Sequence, residues 1–269
     1  MNSKRMIQVL ALMLSGILTL SFFACTPKNP PSVPDPEPEK PFVYESPYDW
    51  SRLTYENGRF TYKNDWVPAS LTGIDVSEHQ GWINWNAVAL NGVDFAIVRL
   101  GYRGYTDGSL YLDEYFYYNV EGARNAGLKV GVYLFSQAIN EQEALQEAQM
   151  VLRALEGIPL DYPVFFDYEP VSDVKGRANN LSAEQLTKNA QVFCEHVKSG
   201  GYIPMIYGNK KVIGMIDAEV RDLYGVWFAE YNVKIPSAQF DFIIWQYSST
   251  GKVAGIDTYV DLNIHFLYP

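Results

Sequence analysis

The sequence predicts an α/β fold, an irregular TIM-like barrel of eight strands whose outer wall of helices thins toward the C-terminus. Three observations predict it. Apolar strand-like runs alternate with helical patterns from Leu71 onward, which implies parallel strands covered by helices. The strand-like runs number eight, and eight such strands close a barrel of about 250 residues. The last three runs follow one another almost without helices between them. The competing architecture is an open doubly wound sheet, but no Gly-rich phosphate turn follows the first strand.

The elements read as follows. Thr72 to Val76 is a short strand and Trp85 to Leu90 a brief helix. Phe95 to Leu100 is a buried strand, and Glu114 to Asn125 a helix stopped by Gly127. Lys129 to Phe135 is a strand. Glu141 to Leu155 is a helix with Ala144, Leu145, Ala148, Leu152 and Leu155 on one stripe. Tyr162 to Phe166 is a strand leading into Asp167. Ser182 and Gln185 form a capping box for a helix that runs to Lys198 and stops at Gly200-Gly201. Tyr202 to Tyr207 is a strand made irregular by Pro204. A short helix follows around Lys210 to Ile216. Gly225 to Tyr231, Phe242 to Tyr247 and Tyr259 to Ile264 complete the count.

Four segments are expected. Residues 1–24 have Lys4 and Arg5 before an apolar run from Met6 to Ala24, as in a secretory signal. The alternative, a membrane span, needs about 20 apolar residues, and this run is broken by Gln8, Ser15, Gly16, Thr19 and Ser21. Phe22-Phe23-Ala24-Cys25 resembles a bacterial lipoprotein cleavage box. The resemblance implies that Cys25 is lipidated and anchors an exported chain to a membrane of the cell envelope. Residues 25–41 then form a Pro-rich tether. Residues 42–70 are an aromatic lead-in, with a hairpin predicted around Asn57-Gly58. Residues 71–269 form the barrel.

Composition narrows the function. The net charge is −10, with no Lys/Arg cluster, so nucleic acid is not an expected partner. The three His are scattered and no zinc-like Cys/His spacing exists. No metal or cofactor is expected, and the chain is read as a monomer. Cys194 reads as a small buried hydrophobe. Aromatics reach 15%, with 20 Tyr and 6 Trp. They suit either core packing or stacking on sugar rings.

Barrel chemistry gathers at the C-terminal ends of the strands. There the sequence places Asp75, the Asp167-Tyr168-Glu169 motif and Asp261. Residues i and i+2 of a strand share a face, so Asp167 and Glu169 both enter the mouth, their Cα atoms ~6.5–7 Å apart. Two close carboxyls in a partly dry site cannot both ionise freely, and one retains its proton. Such a pair suits donation of a proton to a leaving oxygen beside a charged partner. Solvated strand ends, or a Mg²⁺ or Ca²⁺ site, remain open readings of the same carboxylates.

Eight pieces in order resemble glycoside hydrolase family 25 lysozymes. They are GIDVSEHQG (73–81), FAIVRLGYRG (95–104), AGLKVGVYLFS (126–136), FFDYE (165–169), LSAEQL (181–186), WFAEY (227–231), IIWQYSSTGKVAGI (243–256) and VDLNI (260–264). The resemblance implies five β/α units followed by three strands. It also implies hydrolysis of the β-1,4 bond between N-acetylmuramic acid and N-acetylglucosamine in peptidoglycan glycan strands. It makes Glu169 the general acid and Asp167 its assistant, orienting the substrate's N-acetyl group or an intermediate, with Asp75 in the same catalytic cluster. Asp261, Tyr133, Tyr207, Trp227, Trp245 and Gln246 become groove residues. The family is described as retaining. Arg99 and Leu134 stand where many members carry Lys and His, so Arg99 either pairs with a carboxylate or meets one on the substrate. A non-catalytic wall-binding module and a hydrolase of another glycan are the competing functions.

Overall fold

The computed structural model describes residues 43–64 and 67–267. The predicted signal, Cys25 and the Pro-rich stretch lie outside the described residues. The lead-in forms a hairpin, β1 (Leu53–Glu56) and β2 (Arg59–Asn64), paired antiparallel. Its turn residues Asn57 and Gly58 have φ of 54° and 80°, the left-handed pair that a two-residue hairpin turn requires. A two-residue strand, β3 (Val67–Pro68), extends this small sheet.

The barrel begins with β4 (Ser70–Val76), α1 (Trp85–Leu90), β5 (Phe95–Arg103), a short edge strand β6 (Leu110–Leu112) and α2 (Phe116–Asn125). It continues with β7 (Lys129–Ser136), α3 (Glu141–Ala154), β8 (Val164–Tyr168), α4 (Ala183–Ser199) and β9 (Pro204–Asn209). Two short helices, α5 (Lys210–Ile213) and α6 (Ala218–Tyr224), precede β10 (Val226–Ala229), β11 (Ile244–Gly251) and β12 (Val260–Phe266). The sheet runs β4-β12-β11-β10-β9-β8-β7-β5, and the β4–β5 pairing closes it.

The eight barrel strands match the sequence reading, the edge strand β6 was not anticipated, and three further differences stand out. First, β12 runs antiparallel to both β11 and β4, whereas parallel strands were expected throughout. Only residues 252–259 separate β11 from β12, and a parallel crossover needs about a dozen or more. Second, α6 was not anticipated; it is short and buries only Tyr224. Third, the capping box of α4 is half formed. Ser182 accepts the Gln185 N–H at 3.1 Å, but the Gln185 side chain turns to Asn189.

The thin wall over β11 and β12 is covered by the lead-in. Tyr48 donates to the Phe242 carbonyl at 2.7 Å and lies 4.5 Å from the Phe266 ring. Trp50 stacks on Phe242, and Phe60 lies 4.8 Å from Trp245 and 5.1 Å from Tyr247. From Val43 onward the chain is therefore one compact unit.

Two cores result. The larger lies between the strands and their outer cover, and the smaller fills the barrel. At the N-terminal end of the strands, Phe95 stacks on Tyr162 at 4.5 Å. The Tyr162 hydroxyl lies 2.7 Å from His265 Nδ1. Gly73 makes room for this floor: a Cβ there would fall 2.1 Å from the Phe95 ring.

Candidate active site

Strand alternation decides what the mouth contains. Inward positions give Asp75 from β4, Arg99 from β5, Tyr133 from β7 and Asp167 from β8, with Glu169 just beyond it. Tyr207 comes from β9, Trp227 from β10, Gln246 from β11 and Asp261 from β12. All nine line one cleft of about 410 Å3. Asp167 and Glu169 thus share a face, as their spacing predicted, and Asp75 and Asp261 are register partners across β4 and β12.

A chain of hydrogen bonds holds Asp75. Its Oδ2 accepts from Gln246 Nε2 and Asn263 Nδ2, each at 2.8 Å. Asn263 Oδ1 accepts from Trp227 Nε1 at 2.8 Å. Gln246 Oε1 accepts from the hydroxyls of Tyr207 at 2.8 Å and Tyr231 at 2.5 Å. The Tyr207 hydroxyl also stands 3.3 Å from Glu169 Oε1. Asn263 gave no earlier signal beyond its place in VDLN, two residues from Asp261 and hence on the same face.

The four carboxyls hold their protons more tightly than exposed ones do. Burial raises Asp75 well above its ordinary value, and the charge of Asp261 adds to the rise. Burial raises Asp167 well above its own, followed by the charges of Glu169 and Asp75, while Arg99 opposes them. Glu169 is raised by burial and partly lowered by Tyr207. Asp261 is raised to about 6, chiefly by burial. Such groups titrate as a set rather than one by one. Asp167 Oδ1 is buried with no hydrogen-bond partner among the described residues.

Arg99 is paired away from this set. Its Nε donates to Asp113 Oδ2 at 2.7 Å, and its Nη2 lies 2.8 Å from Glu78 Oε1. Its guanidinium sits 5.1 Å from the Tyr102 ring centroid. Asp113 was missed in the sequence, although it accepts the N–H groups of Glu78 and Tyr115 at the entrance to α2, a typical place for a short acid.

Trp245 is a correction. It points outward, fully buried against Phe60 and Tyr247, and its Nε1 donates to the Glu230 carbonyl at 2.9 Å. With Gln246 facing the mouth, period two forces its neighbours Trp245 and Tyr247 to the other side. Leu134 is likewise an outward core residue, so its departure from the family pattern leaves the cleft lining untouched. His79, Tyr105 and Tyr231 line the cleft without having been singled out as site residues. Cys194 is buried, and burial pushes its thiol upward. Among the described residues no three His, Cys, Asp or Glu side chains are grouped to hold a metal ion.

Residues 74–256 match the sequence profile described as Glycosyl hydrolases family 25. The chain is 28% identical over 194 residues to the autolytic lysozyme of Clostridium acetobutylicum, covering 72% of this chain and 55% of that one. It is 32% identical over 208 residues to the uncharacterized protein YegX of Escherichia coli, covering 74% and 71%. The modular autolysin LytC of Streptococcus pneumoniae, solved with a synthetic peptidoglycan ligand, superposes with a TM-score of 0.65 at 24% identity, covering 79% of this chain and 51% of LytC. The chain thus spans about half the length of the clostridial lysozyme and of LytC. The profile match over most of the barrel means that the chain belongs to glycosyl hydrolase family 25.

Proposed function

We propose that this protein is a peptidoglycan muramidase, cutting the β-1,4 bond between N-acetylmuramic acid and N-acetylglucosamine. The observation that carries the reading is the presence of Asp167 and Glu169 in one cleft, both with raised proton affinity. Glu169 is the more accessible of the two. Protonated, it donates to the bridging oxygen as the C–O bond breaks. The Tyr207 hydroxyl stands between Gln246 Oε1 and Glu169 Oε1, and by donating to the carboxylate it steadies the anion left when Glu169 gives up its proton. Asp167 assists by stabilising positive charge at the sugar ring or by orienting the N-acetyl group. Asp75 and Asp261 share charge beside it, and Tyr133, Tyr207 and Trp227 offer walls for the sugars.

Purified peptidoglycan is the test. Wild type should release reducing ends, with products that mass spectrometry identifies as muramidase fragments. Glu169→Gln should lose ~10²- to 10⁴-fold in kcat, the scale of one general acid. Wild-type activity in that variant would remove Glu169 from the role.

The N-terminal sequence supports a second part of the reading, in which the enzyme is exported and held to a membrane by lipid on Cys25 through residues 26–41. Cys25→Ser should abolish metabolic labelling with palmitate; unchanged labelling would exclude the anchor.

A further inference from the structure

A second hollow, of about 570 Å3, lies between the lead-in hairpin and the barrel. Tyr55 and Phe60 line it from the hairpin, Val233 and Lys234 from the segment after β10, and Tyr247 and Thr250 from β11. The hairpin lies outside the residues that match the family profile, 74–256.

Four observations indicate what it holds. The hollow adjoins the candidate active site: Tyr231 lines the mouth, and the next three residues, Asn232 to Lys234, line the hollow. Its lining is also mixed in the way a saccharide needs. The Tyr55 ring, 60% exposed and 4.6 Å from Phe60, offers a flat apolar face. Asn232, Ser248 and Thr250 offer partners for hydroxyl and amide groups. Lys234 supplies a cation that makes no ion pair among the described residues, in a chain of net charge −10. Finally, the hollow is built before any ligand arrives. Arg59 at the hairpin turn donates to the Asn91 carbonyl at 2.6 Å and to Asn91 Oδ1 at 2.8 Å, and Phe60 is wedged against Trp245. A preformed site spends little ordering entropy on binding.

We propose that this hollow is an accessory subsite for the same glycan strand, beyond the sugars held in the barrel mouth. Tyr55 stacks on a sugar ring, and Lys234 pairs with a carboxylate on the peptide that the strand carries. The proposal rests on the muramidase reading for the identity of the ligand.

The test compares full-length wild type with Tyr55→Ala and Lys234→Ala, each checked for an unaltered thermal midpoint. Substrates are polymeric peptidoglycan and a purified tetrasaccharide fragment. The ratio of kcat/KM for polymer to that for tetrasaccharide should fall roughly 3- to 10-fold in each variant, carried by KM on polymer. A ratio equal to wild type in both variants overturns the subsite. Co-sedimentation with insoluble peptidoglycan keeps this separate from the activity itself. If wild type cleaves neither substrate, the muramidase reading fails. In that case weaker sedimentation of the variants still supports the subsite, and equal sedimentation overturns it. Self-association of wild type that both substitutions abolish would assign the hollow to a second copy of the chain and also overturn the proposal.

Discussion

Asp261 stands directly opposite Asp75 across the antiparallel β12–β4 pair. Two acids facing each other in a largely buried site favour the form that keeps a proton. Burial chiefly, with the charge of Glu169, raises Asp261 from its ordinary value to about 6, while its hydrogen bond with Asp75 pulls the other way. A carboxyl whose folded pKa exceeds its unfolded one binds more protons when folded. Its stabilising effect is present at low pH and is lost as pH rises from about 4 to about 6. Asp261→Asn should therefore raise stability at pH 7 by about 1 to 3 kcal/mol and give no gain at pH 4. Chemical denaturation at the two pH values checks this; a loss of stability at pH 7 would show that the pair is net favourable when charged.

In the proposed role of general acid, Glu169 is active only while it holds its proton. Activity should fall as pH rises through its elevated pKa, giving the alkaline limb of the pH–rate profile. The Tyr207 hydrogen bond lowers that pKa, so Tyr207→Phe should move the limb to higher pH. Gln246 Oε1 would still accept from Tyr231, which limits collateral change. A limb that stays in place or moves to lower pH would uncouple Tyr207 from the acid.

Arg99 is the counter-charge for buried Asp113. Removing one partner of such a pair leaves an uncompensated charge. Arg99→Met should cost about 3 to 5 kcal/mol of stability. Adding Asp113→Asn should recover part of the loss, because the buried charge is gone and the amide oxygen still accepts one of the two N–H groups, of Glu78 or of Tyr115. Equilibrium unfolding of the single and double variants measures the coupling.

Trp245 and Trp227 should respond in opposite ways. Trp245→Phe leaves a gap under the hairpin and removes the bond to Glu230, so it should cost about 1 to 3 kcal/mol of stability without raising KM. Trp227→Phe removes a cleft wall and the donor to Asn263, so its effect should appear in turnover of peptidoglycan. A raised KM in Trp245→Phe would contradict the outward placement.

These contrasts show what was legible in the sequence. Period two, read along FFDYE, placed Asp167 and Glu169 together without further information. The same rule applied to Trp245-Gln246-Tyr247 excludes all three from one face, yet aromatic character alone had drawn Trp245 into the groove. The reversal of β12 was legible too, in the short connection after Gly251. The covering of the thin wall was not. It joins Tyr48 and Trp50 to Phe242 and Phe266, pairings across about two hundred positions that no local pattern encodes. The Arg99–Asp113 pair was hidden for a related reason: a lone acid before a helix reads equally well as a cap.

The Phe95–Tyr162 stack with His265 behind it makes the barrel a blind socket. A glycan cannot be threaded through such a body; it can only lie across the single opening. Such a hydrolase has no need of a free chain terminus. As the muramidase proposed above, the protein should nick strands internally, so a wall suspension should lose turbidity and viscosity well before small saccharides accumulate.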